Sequence, residues 1–355
     1  MSKLDNREVV TKLDSANMLK LISGLPDQCR EAYNIGKNSD VSKPNSDIDN
    51  IVFAGLGGSA IGADIVRVYL QKELKIPVVV CRNYTLPNFV GKATLLFCSS
   101  YSGNTEETLS SFEQGFKKGA NIITMGSGGK LKELSLKNGF RHVEIPSGFP
   151  PRTAIGYMSL TVLAILVKLG FIKNKEKEVS EIYAALSELR DKEIGIDVGL
   201  EKNISKKFAS KLLGKYSIVY GTSDSTEAVS VRWRGQIAEN SKALSSSHVL
   251  PEMNHNEIVG WEFPKGLLKD FKVIILRDIN DHPRTGHRIE ISKTIIKESG
   301  AEILELERKN PSFLARLLSL VYIGDFMSFY LAILNNIDPT PVKRVDYLKR
   351  ELAKL

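Results

Sequence analysis

The stretch ATLLFCSSYSGNTEETL, residues 93–109, changes chemical character twice. It opens on an apolar run of the kind that forms a strand covered on both faces. It then breaks into hydroxyls around Gly103 and Asn104, residue types that favour a tight turn. Thr105 suits the position just before a helix, and Glu106 and Glu107 behind it bring negative charge to the helix start, where the backbone dipole favours it. Strand, turn and helix in this order make half of a βαβ unit.

The flanking chain repeats the unit on both sides. IVFAGLGGSA (51–60) leads into the helical pattern IGADIVRVYLQKE, and PVVVCRNY, ANIITMGS with KLKELSLKNG, and RHVEIPS complete a first series. A second series runs through YSIVYGTSD (216–224) with STEAVSVRWRGQIAENSKA, FKVIILRD (271–278) with HRIEISKTIIKESG, and AEILELE. Such alternation predicts an α/β fold with two doubly wound parallel sheets. The expected organisation is an N-terminal helical segment over 1–45, a first α/β domain over 46–170, a helical connector over 171–205, a second domain over 206–310 and C-terminal helices over 311–355. The last part begins with a long apolar helix, PSFLARLLSLVYIGDFMSFYLAILNN, and restarts as a helix near Pro341.

Composition narrows the function classes. The chain has 355 residues, 42% hydrophobic and 25% charged, values of a globular protein rather than a disordered or fibrous one. Its net charge of +8 is spread among acids, as in KEKEVSEIY and RELAKL, which suits an anionic small substrate better than a nucleic-acid groove. The N-terminus lacks a secretory pattern, and no run is expected to reach the roughly 18 apolar residues of a membrane span. AIGYMSLTVLAILVKLG (154–170) reads as a buried helix. Cys29, Cys81 and Cys98 have neither metal-ligand spacing nor an even count, so a reducing cytoplasm is the expected location.

Ligands of doubly wound sheets bind at the carboxyl ends of the strands, which selects particular turns. GLGGSA (55–60) offers Gly55, Gly57, Gly58 and Ser59 at the first strand-to-helix turn, where the backbone can approach an anion closely. It fits the dinucleotide pattern only loosely, because Ala60 stands where the third glycine belongs, and a bare turn with no ligand is the competing reading. In the opening stretch, helix capping accounts for one hydroxyl but not for Ser100, Ser102 and Thr105 together. Strand order cannot be read from the pattern, but two such turns on neighbouring strands would define one anion pocket lined by neutral donors. Glu239 reads either as a catalytic carboxylate or as an exposed helix acid. Arg152, behind Pro150 and Pro151, is either a rigidly held cation or a salt-bridge partner, and His255 lies in a segment too polar for a core strand. DHPRTGHR (281–288), the most conspicuous basic cluster, reads as a solvated loop or an interface, and His142 as structural.

GLGGSA and SYSGNTEET resemble the sugar isomerase (SIS) domain, a doubly wound, flavodoxin-like module that binds phosphosugars. With PPRTAIGYM, RWRGQIAENSK, PEMNHNEIVGWE and DPTPVKRVDYLK added, the chain is similar to the bifunctional phosphoglucose/phosphomannose isomerases of archaea and some bacteria, from about Ile51 to the C-terminus. The resemblance implies two SIS subdomains, C-terminal helices that complete the active site, and a homodimer in which His255 is donated across the interface. It implies that Gly58, Ser59, Ser100, Ser102 and Thr105 bind the phosphosugar, that Arg152 sits beside the reacting carbons, that Glu239 is the base and that His255 opens the ring. A C-terminal lysine would assist ring opening, with Lys349 favoured over Lys343.

The implied chemistry suits those residue types. Ring opening moves a proton from the anomeric hydroxyl to the ring oxygen, work a neutral imidazole does near pH 7. A carboxylate can carry a proton between C2 and C1 through a cis-enediol, and a guanidinium can stabilise the developing oxyanion. No metal is expected, since the histidines and acids are not grouped at ligand spacing, and proton transfer through an enediol needs no redox cofactor. The implied substrates are glucose 6-phosphate, fructose 6-phosphate and mannose 6-phosphate, with no nucleic-acid or membrane partner. A phosphosugar sensor without catalysis is the alternative. An amidotransferase would need a glutaminase domain before the first sheet.

Overall fold

The computed structural model describes residues 2–44 and 46–354. The chain opens with the helices α1 (Arg7–Leu13), α2 (Met18–Ser23) and α3 (Leu25–Asn38). The first α/β series follows as β1 (Asn50–Ala54), α4 (Gly57–Leu70), β2 (Val78–Cys81), β3 (Thr94–Ser99), α5 (Glu106–Lys117), β4 (Asn121–Gly126), α6 (Gly129–Lys137), β5 (Arg141–Glu144), α7 (Ile155–Lys168) and α8 (Glu176–Leu189). The second comprises α9 (Ile204–Leu212), β6 (Tyr216–Thr222), α10 (Glu227–Ser241), β7 (Ser245–Leu250), α11 (Lys265–Leu268), β8 (Phe271–Asp278), α12 (Pro283–Glu298) and β9 (Glu302–Arg308). Two helices, α13 (Phe313–Leu334) and α14 (Lys343–Leu352), end the chain.

These elements form two compact units. One holds Gly24–Ser187 and Asn310–Leu318; the other holds the chain up to Ser23, Glu188–Lys309 and everything from Ser319 onward. In the first, five parallel strands lie in the order β2-β1-β3-β4-β5. Every residue of β3 is buried, as its apolar run predicts for a strand covered on both faces. The register sets Ala54 of β1 beside Cys98 of β3, so the turns that follow these two strands emerge side by side. The chain winds outward from β1 to β2, then crosses back to β3 and winds the other way. The β1/β3 boundary is therefore the switch point at which such sheets bind ligands.

The second unit repeats the plan with four parallel strands in the order β7-β6-β8-β9. Its core joins Ile218 and Tyr220 of β6 to Val273 and Ile275 of β8 and to Ile289 and Ile296 of α12. The two parallel sheets are the α/β fold expected from the sequence.

Several local expectations are corrected. β7, with the sequence SSSHVL, has no counterpart among the predicted strands, because five of its six residues are only half-buried and three are serines. DHPRTGHR is mostly helix rather than loop: His282 is the N-cap of α12, its Nδ1 accepting the backbone N–H of Arg284, and Pro283 is the first helical residue. The helix after GLGGSA starts earlier than its apolar period, at Gly57, so Gly58 and Ser59 belong to its first turn. One run does reach spanning length. α13 is long and apolar enough to cross a membrane, yet 94% of its most apolar 18-residue window is buried inside the protein, which makes it a core helix.

Candidate active site

One candidate cluster is built on the β1/β3 switch point of the first unit. Only Gly55 and Leu56 separate β1 from α4, so the strand delivers the helix N-terminus directly to the crevice. Gly57 holds φ +52°, a left-handed conformation in which glycine carries no Cβ penalty. At Gly58 the requirement is space: an added Cβ would lie 2.7 Å from the carbonyl oxygen of Pro151. The short helical turn Pro151–Thr153 is thus seated on the first turn of α4, and it carries Arg152, which is 4% exposed. The structure brings Gly58, Ser59 and the Arg152 turn together.

The turn after β3 is fixed from within. Ser100, 1% exposed, accepts the backbone N–H of Gly103 on its hydroxyl oxygen at 3.1 Å and pairs with the Thr105 hydroxyl at 2.8 Å. Thr105 occupies the N-cap of α5, but its hydroxyl makes no bond to the helix, contrary to the capping expected for one of these groups. Glu106 and Glu107 do fall in the first turn of α5. Ser102 is exposed and accepts the N–H of Asn104 at 3.3 Å, leaving its own proton to donate. Gly103, at φ +70°, rests on the following loop, and a Cβ there would overlap the carbonyl of Gly128. Cys98 lies just before this turn, but burial pushes its thiol well above the ordinary range, so the neighbouring chemistry belongs to hydroxyls and amides.

A separate candidate cluster lies within the other unit. Glu239 is half-buried on the last turn of α10 and lines a cavity of about 630 Å³ with Ala238, Lys242, Leu244, Asp338 and Lys343. Behind it, α10 is fastened to α13 by a buried polar ladder. Arg232 Nε and Nη2 donate to the two oxygens of Asp325 at 3.0 and 2.7 Å, Gln236 donates to the same carboxylate at 2.8 Å, and Asn240 donates to the Ser328 hydroxyl at 3.0 Å. Spaced four apart, these residues share one helix face and hold the register of the face that carries Glu239.

His255 ends a short helical turn, Glu252–His255, and is exposed. Met253, fully buried, and Trp261 anchor the segment in the core on either side of it. The favoured lysine, Lys349, lies in the last turn of α14 and does not line the Glu239 cavity, whereas Lys343 at the start of that helix does. Sequence reasoning missed the Arg232–Asp325 ladder, whose two ends lie far apart in the chain, and the seat of the Arg152 turn on Gly58. A glycine at the second position of a helix was the available signal for the latter.

Known proteins resemble this chain over most of its length. Residues 201–352 match the family described as the bacterial phospho-glucose isomerase C-terminal SIS domain. A curated relative from Caldicellulosiruptor bescii, named bifunctional phosphoglucose/phosphomannose isomerase, is 46% identical over 338 residues, covering 95% of this chain and 99% of its own. A relative of the same name from Aquifex aeolicus is 38% identical and covers 91% of this chain and 96% of its own. The crystal structure of a hypothetical protein from Thermus thermophilus shares the fold, with a TM-score of 0.71 at 15% identity over 98% of this chain and 93% of that one. With a relative this similar matching end to end, the chain belongs to the bifunctional phosphoglucose/phosphomannose isomerase family.

Proposed function

We propose that this chain is an aldose-ketose isomerase that interconverts glucose 6-phosphate and mannose 6-phosphate with fructose 6-phosphate. The observation that carries the reading is the 46% identity across the whole length of a relative bearing that name. The geometry of the first switch point supports it, since a helix N-terminus and a hydroxyl turn emerge from adjacent strands and the turn that carries the buried Arg152 is seated on that helix.

In this reading the phosphate is held by the first turn of α4 at Gly58 and Ser59 and by the turn after β3. Ser100 shapes that turn, while Ser102 and Thr105 supply hydroxyl donors. Neutral donors at a helix start suit a dianion without the desolvation cost of bringing further charges together. His255 transfers the proton from the anomeric hydroxyl to the ring oxygen and opens the ring. Glu239 then removes the C2 proton and returns it to C1, while Arg152 stabilises the negative charge that develops on the enediolate oxygen. The enediol is planar at C2, so glucose and mannose, which differ only there, share one intermediate, and a turn about C2–C3 presents either of its faces to the same base. Lys349 is the ring-opening lysine by resemblance, and the position of Lys343 beside Glu239 supports testing both.

His255 acts across a homodimer in this account, and the protein works in the cytoplasm. The exposure of His255 supports the first point, as do the apolar side chains left open after it, with Val259 and Phe263 each 69% exposed. The α14 helix, which has no buried residue, adds exposed Val345, Leu348 and Leu352.

A coupled assay with glucose 6-phosphate and mannose 6-phosphate in parallel tests the function. Both are expected to yield fructose 6-phosphate, and Lys343→Met and Lys349→Met are to be compared in the same assay. Binding of both sugars with no turnover of either would favour a phosphosugar sensor instead.

A further inference from the structure

Beneath the His255 segment lies a hydrogen-bonded relay that the mechanism above does not use. Glu257, two residues after His255, turns its carboxylate back into the sheet. Its Oε1 accepts the Tyr220 hydroxyl at 2.5 Å, and its Oε2 lies 2.9 Å from His248 Nδ1. A carboxylate only accepts, so His248 carries its proton on Nδ1. Tyr220 in turn accepts Trp261 Nε1–H at 3.2 Å. Tyr220 is 1% exposed, and its burial together with the Glu257 carboxylate pushes its hydroxyl pKa up, so it remains a donor throughout the working range. The relay joins β6, β7 and both ends of the second short turn, Glu257–Glu262.

The side chains flanking His255 are tied elsewhere. Asn254 donates to the Ser292 hydroxyl of α12 at 2.7 Å, and Asn256 accepts the Glu257 N–H at 2.6 Å while donating to Glu252 at 2.9 Å. The exposed imidazole is therefore held by Met253 in the core and the Asn254–Ser292 bond before it and by the Glu257 carboxylate after it. The Glu257 carboxylate ties the segment to both β6 and β7.

We infer that Glu257 is a positioning residue for His255, and that Tyr220 and His248 hold its two oxygens so that the imidazole is presented in one orientation. The inference rests on the role given to His255 above. It assigns Glu257 no proton transfer: what matters is that both donors find an acceptor, since a burial without one leaves polar groups unsatisfied and the segment free to shift.

The test is a double-mutant cycle on the full-length enzyme with glucose 6-phosphate. Glu257→Leu, which removes both acceptors, is expected to lower kcat about tenfold, part of the hundredfold or more attributable to a general acid–base group, with KM within about twofold. Glu257→Gln is expected to keep most of the activity, because its carbonyl accepts from Tyr220 and its amide can donate to His248 in the other tautomer. In a His255→Asn background, Glu257→Leu is expected to cost nothing further, since it acts only through the missing imidazole.

Losses that multiply in the double variant would overturn the inference, as would Glu257→Gln as damaging as Glu257→Leu, which would make Glu257 itself a catalytic carboxylate. If Glu257→Leu does not fold, His248→Ala carries the test, with a smaller loss of kcat that must also vanish in the His255→Asn background. A fully active His255→Asn enzyme would overturn the role of His255 and this inference with it, whereas failure of the cycle alone leaves that role standing.

Discussion

Ser100 shows what a residue type conceals about its use. Serine at the carboxyl end of β3 was legible as a hydroxyl near a ligand, but the fold commits it to the Gly103 amide and the Thr105 hydroxyl, inside the turn. Its partners could not be read from spacing, because they depend on a turn conformation fixed by contacts with the next loop. Gly58 is the complementary case, a residue that matters for what it lacks. Gly58→Ala places a Cβ where the Pro151 carbonyl stands, so the turn carrying Arg152 must move. A displacement of about 1 Å of a catalytic group can cost on the order of a hundredfold. The expected result is a fall of kcat/KM of about tenfold to a hundredfold, with the melting temperature lowered by a few degrees because backbone must give way. Wild-type kinetics in Gly58→Ala would remove Arg152 from the site.

At the scale of elements, all the described strands but one were legible, the central β1, β3, β4, β6 and β8 from apolar runs and the edge strands β2, β5 and β9 from shorter or alternating ones. The edge strand β7 was not, since its first three residues are serines and leave no apolar pattern, yet it carries His248. Helix α10 was legible as a helix, but not as one fixed by a buried ion pair. Arg232 and Asp325 are 3% and 4% exposed, and removing one charge strands the other in the interior. Asp325→Asn is therefore expected to lower the unfolding free energy by about 3–5 kcal/mol, measured by urea denaturation. A loss below about 1 kcal/mol would mean that the ladder does not hold α10, and with it Glu239, in register.

For the whole molecule, the fold class was legible from the alternation of strands and helices, and the family from six short segments in order. The partition of the N-terminal helices was not: α1 and α2 pack with the second sheet's unit and α3 with the first, a division decided by contacts distant in sequence. Assembly is tested by complementation. Glu239→Gln and His255→Asn proteins, each inactive, are mixed and allowed to exchange subunits. If His255 serves the partner's site, half the dimers are mixed and one of their two sites is intact, so about a quarter of the wild-type activity returns. No recovery, with exchange shown by mass, would place His255 in its own chain's site. The central claim, that Glu239 carries the proton between C2 and C1 of a phosphosugar, is tested most directly by following glucose 6-phosphate in D2O by NMR. Wild-type protein is expected to produce fructose 6-phosphate with deuterium entering at its C1 and, on reversal, at C2 of the aldose phosphates, and folded Glu239→Gln to lose both conversion and exchange by about a hundredfold or more. Conversion at near wild-type rate by Glu239→Gln would contradict it.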